Sequence, residues 1–225
     1  MTEAHTPDSV VTLLRQSGLT IDDTQQALLA KYAALLLDWN TRINLISRKD
    51  QEQLWRNHIL HSLSVLTHIP MPRTGKVIDI GSGGGLPGIP LAIMLPELRF
   101  LLVDSVGKKI RAVGEMAEAL GIGNVSVIHG RVEDDIVLHD HAATADVVTA
   151  RAVTRLEALV RWARPLLSTD GPKRLVVWKG GDLREEIGQA RRNPVIAGVE
   201  EIVVDIPGEE YFRTEDKKLL SIRYR

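Results

Sequence analysis

Lys76-Val77-Ile78-Asp79-Ile80 runs straight into Gly81-Ser82-Gly83-Gly84-Gly85, and no other segment limits the possible folds so tightly. A short apolar run bounded by glycines is a strand covered on both faces. Ile89, Leu91, Ala92, Ile93 and Leu95 then give a helix directly after the turn. Strand, glycine turn and helix in that order require a crossover to a parallel neighbour. The unit repeats: Phe100–Asp104 with a helix from Lys108 to Leu120, then Val125–Ile128, Asp146–Ala150 and Leu175–Trp178, with helices around 155–167 and 182–192. Val199–Ile206 and Lys218–Tyr224 close the chain as a hairpin. The expected architecture is α/β: a mainly parallel seven-stranded sheet with helices on both faces.

Ahead of this domain, from about residue 8 to 68, the period is helical. Leu28, Leu29, Tyr32, Leu35, Leu36 and Trp39 share one face, with Asp22 or Asp23 as N-cap, and Leu54, Trp55, His58, Ile59, Ser62, Leu63 and Leu66 repeat the pattern. Pro70 and Pro72 end it, so residues 1–70 read as a helical extension packed on a core of residues 71–225. Cysteine is absent, which removes disulfides, cysteine nucleophiles and thiolate metal sites, and suits a reducing compartment. No long uncharged apolar stretch and no basic, apolar leader is present, so a cytoplasmic protein without a membrane partner is expected. The net charge of −1 gives no overall pull towards nucleic acid; any such partner must be recognised by local charge.

In parallel sheets of this kind, ligands bind beyond the carboxyl ends of the strands where strand order reverses. That directs attention to residues 79–86, 104–106, 129–133 and 149–152. A dinucleotide fingerprint would need a third glycine where Leu86 stands. Asp79, Gly81, Gly83 and Gly85 instead give an acidic residue and three glycines at alternate positions, a spacing that resembles the first motif of Rossmann-like S-adenosylmethionine (AdoMet) methyltransferases. Asp104, at the end of the second strand, is placed to accept the ribose hydroxyls of either cofactor.

Asp79-Ile-Gly-Ser-Gly-Gly-Gly-Leu-Pro-Gly-Ile-Pro90 narrows this further, because the Pro-Gly-x-Pro continuation resembles the RsmG (GidB) family of bacterial 16S ribosomal RNA methyltransferases. Asn44-Leu45 with His58, Leu102-Val103-Asp104-Ser105 with Lys108-Lys109, Ala150-Arg151-Ala152 and Trp178-Lys179-Gly180 agree with that family in order and spacing, over roughly residues 20–225. The resemblance implies AdoMet as cofactor, guanine N7 of the small-subunit RNA as acceptor, and contacts to AdoMet from Gly81, Leu86, Val132, Glu133 and Arg151, with Asp104 at the ribose. One stretch departs: the family's Arg-His-x-x-Asp-Ser is Asn57-His58-Ile59-Leu60-His61-Ser62 here, so no cation or anion role carries over to positions 57 and 61.

Guanine N7 is an unprotonated lone pair on the major-groove edge, so its methylation needs alignment and no general base. The chain fits this, lacking the Asn/Asp-Pro-Pro-Tyr/Phe tetrapeptide of many amino-group methyltransferases and the cysteines of the covalent pyrimidine route. Arg151 and His58 are the candidate positioning residues. Arg48, Lys108, Lys109, Arg155 and Lys179 are the main RNA-contact candidates, with Arg42, Lys49, Arg56 and Arg111 in a wider set. His58 with His61, and His139-Asp140-His141, lack a third ligand, so no metal is expected. Trp39, Trp55 and Trp162 lie on apolar faces and read as core. The expected partner is the small ribosomal subunit or its RNA, and the chain is expected to be a monomer. The glycine loop alone also admits a methyltransferase of small molecules or proteins.

Overall fold

The structure is a computed structural model and describes residues 5–225. Seven strands form one sheet: β1 Gly75–Ile80, β2 Leu98–Asp104, β3 Val125–His129, β4 Val147–Arg151, β5 Arg174–Gly180, β6 Ile196–Val203 and β7 Lys217–Tyr224. Their spatial order is β3-β2-β1-β4-β5-β7-β6. The first five are parallel; β7 enters antiparallel between β5 and β6, so the sheet is mixed at one end. The chain winds outward from β1 to β3 and then returns to lay β4 on the other side of β1. The switch point therefore lies at the carboxyl ends of β1 and β4, where Ile80 pairs with Ala150.

Each face of the sheet carries its own apolar layer. Leu156, Leu159 and Val160 of helix Leu156–Ala163, with Ile187 and Ala190 of helix Arg184–Arg192, cover Ile78, Leu101, Val148 and Val177. The opposite layer joins helix Gly88–Met94 and helix Gly107–Leu120 to the amino-terminal helices through Leu14, Leu29, Tyr32, Leu36, Ile59 and Leu63. Residues 5–70 thus share their core with the sheet domain. They act as one of its covering layers.

The amino-terminal region differs from the single periodic tract that its spacing implies. Helices Pro7–Gln16 and Asp23–Asn40 are regular, and Asp22 is the cap of the second, its carboxylate accepting from Gln25 N–H at 2.7 Å. Residues 41–54 then form a loop with one tight turn at Arg48–Asp50, held at its start by the Asn40 side-chain oxygen, which accepts from Leu45 and Ile46 N–H at 2.8 and 2.9 Å. Helix resumes at Trp55–Leu60 as a π-helical turn. Helix Asp135–His141, after β3, was not foreseen, and β6 starts three residues before Val199 and ends at Val203.

Candidate cofactor cleft and its neighbour

A cleft of about 460 Å³ opens beyond the ends of β1, β2 and β4, lined among others by Leu45, Gly81, Gly83, Leu86, Asp104, Lys109, Val132, Glu133, Arg151 and Trp162. Its size is in the range of small-molecule sites. The glycine loop is its floor. Gly81 and Ser82 N–H donate to the Val103 carbonyl at 2.8 and 3.2 Å, tying the loop to β2. Gly83 has a φ of +57°, and a Cβ there would meet no protein atom nearer than Gly81 O at 4.0 Å. The position is left-handed and open towards the cleft, so a side chain would occupy ligand space.

Asp104 closes the loop from the other side. Its two carboxylate oxygens accept from Gly83 N–H and Val106 N–H, each at 2.8 Å. Each oxygen keeps a further lone pair for a hydroxyl donor. Leu86, Val132, Glu133 and Arg151 fall in the same lining, as the resemblance implies. Leu45, Ser105 and Trp162 are there too. Trp162 packs against one apolar layer of the sheet and also borders the cleft, because one side of helix Leu156–Ala163 faces it; helical spacing reports an apolar stripe without saying what faces it.

Two predicted contacts sit elsewhere. Asp79 is wholly buried beneath the loop, accepting from Thr149 Oγ1 at 2.8 Å and from Gly88 N–H at 3.2 Å. It braces β1 against β4 and the helix start, and does not line the cleft. Gly85, with φ +92°, packs under Ile89 and the Tyr32 ring and is also turned away. Tyr32 itself donates to the Gly84 carbonyl at 2.8 Å, so the extension holds the loop from outside. Burial pushes the Asp79 pKa up to about 7, against the downward pull of Thr149, Gly88 and Arg151. A carboxyl that keeps its proton longer folded than unfolded contributes stability fully below pH about 4 and loses it as pH rises to about 7. Urea denaturation should show stability falling across that window by on the order of 4 kcal/mol, with Asp79→Asn flattening the slope; an unchanged slope in the variant would refute the assignment.

Arg151, at the end of β4, joins this cleft to a second cavity. Its guanidinium donates to the carbonyls of His58 (3.2 Å) and Asn57 (3.3 Å) and to Ser62 Oγ (3.1 Å), and also meets His58 Nδ1. Burial lowers its pKa to about 10, so it stays charged at neutral pH. Burial first, and Arg151 second, drive the His58 pKa down to about 4. His58 is thus a neutral acceptor for Arg151 at the end of β4.

The basic candidates divide. Arg48 and Lys108 are exposed, Arg111 is exposed on the same helix as Lys108, and Lys109 reaches the cleft. Arg155 is exposed, 3.8 Å from Glu185. Lys179 donates to Glu186 (2.9 Å) and the Thr154 carbonyl (3.0 Å), and it also lines the second cavity with Arg151. Arg56 is buried over the Tyr211 ring, 3.9 Å from its centroid. Among the described residues no group of three or more His, Asp or Glu side chains is placed to hold a metal ion, and no helix is long and apolar enough to cross a membrane.

Residues 25–213, which include every residue lining the cleft, match the family model described as rRNA small subunit methyltransferase G. The chain belongs to the rRNA small subunit methyltransferase G family. Relatives bearing the name Ribosomal RNA small subunit methyltransferase G include one from Chlorobium luteolum, 45% identical over 80% of this chain and 73% of its own length. Another, from Christiangramia forsetii, is 36% identical over 95% of this chain and 98% of its own. Solved AdoMet complexes share the fold at low identity. Aeropyrum pernix fibrillarin in complex with S-adenosyl-L-methionine matches with a TM-score of 0.52 at 15% identity, covering 72% of this chain and 73% of that one. M. jannaschii TYW2 in complex with AdoMet matches with a TM-score of 0.56 at 14% identity, covering 82% and 80%. AdoMet is the cofactor of this methyltransferase. The cleft residues fit it: an open glycine position, a carboxylate with free lone pairs for a diol, and apolar walls at Leu86, Val132 and Trp162 for a purine.

Proposed function

We propose that this methyltransferase transfers the methyl group of AdoMet to N7 of a guanine in 16S ribosomal RNA, acting as a cytoplasmic monomer on the small subunit or its RNA. The supporting observation is that the family match takes in the entire cleft lining together with the extension that walls it. AdoMet supplies an electrophilic methyl on a sulfonium centre. The chain's task is then alignment. Asp104 and the glycine loop hold the nucleoside end, while Arg151 fixes the wall shared with the acceptor side. Asp79, the carboxyl tuned to near neutrality, is sealed under the loop and unavailable as a base, which suits a nucleophile that carries no proton.

Tritiated AdoMet incubated with small subunits from cells lacking the protein should label one guanine, at N7. Label on another base would overturn the guanine reading, and methyl acceptance that survives ribonuclease would favour a small-molecule or protein acceptor.

A further inference from the structure

The second cavity, about 380 Å³, shares Arg151 and Ala152 with the cofactor cleft and is walled by Asp50, His61, Tyr211 and Lys217. Its lining holds one carboxylate, Asp50, among three cations, Arg151, Lys179 and Lys217. Asp50 Oδ1 accepts from Asn57 Nδ2 at 2.8 Å and Oδ2 from Ser47 Oγ at 2.6 Å, which orients the carboxylate and leaves one lone pair free on each oxygen. A third of the side chain is exposed. Those hydrogen bonds, with His58 and Arg151, outweigh burial and hold the Asp50 pKa below the ordinary value, so it is an anion at neutral pH.

His61 is buried against the Phe212 ring, its centroid 5.3 Å away, and its Nε2 has no partner. Burial first, then the charges of Arg151 and Lys217, keep it neutral. A neutral imidazole that donates through one nitrogen presents a bare acceptor at the other. A buried polar nitrogen left without a partner calls for one. The Asp50 carboxylate and the His61 ring thus bound one cavity, with Arg151, Lys179 and Lys217 as its donors.

Resting on the rRNA-methyltransferase reading, we infer that this cavity holds the flipped target guanine and that Asp50 reads its N1–H and N2–H₂ donors. Of the four bases only guanine offers two adjacent donors on its Watson–Crick edge, next to a carbonyl oxygen that suits Lys217. Adenine and cytosine would turn a lone pair towards Asp50; uracil would turn a single donor between two carbonyls. Tyr211, stiffened by the Arg56 guanidinium over its ring, supplies an aromatic wall. With that edge on Asp50, the N7 edge is left for the cofactor side, at the boundary marked by Arg151 and Ala152.

The test uses the full chain and reconstituted small subunits carrying either guanosine or inosine, which lacks the 2-amino group, at the mapped position. Wild type should methylate the inosine substrate roughly 10- to 100-fold less efficiently in kcat/KM. Asp50→Ala should lose roughly 30-fold or more on guanosine and discriminate between the two less than about threefold, with AdoMet affinity by calorimetry within about threefold of wild type. Asp50→Asn, which keeps the shape and one acceptor, should fall between and serves if the alanine variant does not fold. Discrimination that persists undiminished in the variants, or that wild type lacks, overturns the assignment while leaving the methylation of rRNA intact. Failure of wild type to methylate any guanine overturns the parent reading and this one with it.

Discussion

Asp104→Ala lowers AdoMet affinity by about 100-fold or more while the chain stays folded. The carboxylate is used twice. Its oxygens hold Gly83 and Val106 N–H at 2.8 Å, fixing the loop and the start of the next helix, and the remaining lone pairs face the cleft. Hydrogen bonds to a charged group are worth roughly 1.5–3 kcal/mol each, so losing two ligand contacts accounts for the affinity change. Two backbone amides also lose their acceptor, at about 1–3 kcal/mol each. For a chain of this length that lowers Tm by roughly 4–24 °C, which leaves the chain folded at room temperature. Asp104→Asn should not rescue binding, because one of its positions becomes an NH₂ facing a backbone N–H. Calorimetric titration of AdoMet into both variants decides the matter, and affinity within threefold of wild type would place the cofactor elsewhere.

The cofactor side of this site was legible because it depends on backbone chemistry. Glycines at alternate positions after a buried strand leave few options, and Gly81, Gly83, Leu86 and Asp104 all reach the cleft. Asp79 shows the limit of such spacing. A carboxylate two residues before the first glycine looks like a ligand, yet alternation along β1 turns it into the sheet, towards Thr149. Trp162 shows the converse, an apolar stripe residue that meets a cleft. The acceptor side was legible only in pieces: Arg151-Ala152 and Trp178-Lys179-Gly180 stood out as motifs, but not the cavity they share. Asp50, His61 and Tyr211 come from a loop, a helix and the segment before β7, and nothing in their sequence spacing draws them together. The π-helical turn at Trp55–Leu60 adds to this, since it shifts the register that a period of 3.6 assumes. It also turns the Asn57 and His58 carbonyls towards Arg151. Charge alone did not announce the tie from Lys179 to Glu186, which Lys179 makes from the wall of the second cavity.

The larger consequence concerns Arg151, where the two cavities meet. Arg151→Met should cut methyl transfer by on the order of 100- to 1000-fold, because a wall displaced by about an ångström is enough to spoil alignment. It should also lower stability by roughly 3–5 kcal/mol, as the Asn57 and His58 carbonyls and Ser62 lose their shared donor. Arg151→Lys should not restore either, since a single ammonium cannot serve four acceptors spread across a planar fork. A purely structural role would produce the same loss of activity, so the deciding measurement is the titration of His58. Burial and then the Arg151 charge hold its pKa at about 4, while Asp50, 3.8 Å from its Nε2, pulls the other way. Removing the guanidinium leaves burial alone against the Asp50 attraction, so the pKa must move up from about 4 in the direction of the ordinary value of 6.5. NMR titration of the folded variant should find His58 taking its proton at higher pH than in wild type. If His58 titrates unchanged in Arg151→Met, the two side chains are not electrostatically linked, and Arg151 does not couple the cofactor cleft to the extension in the way the geometry requires.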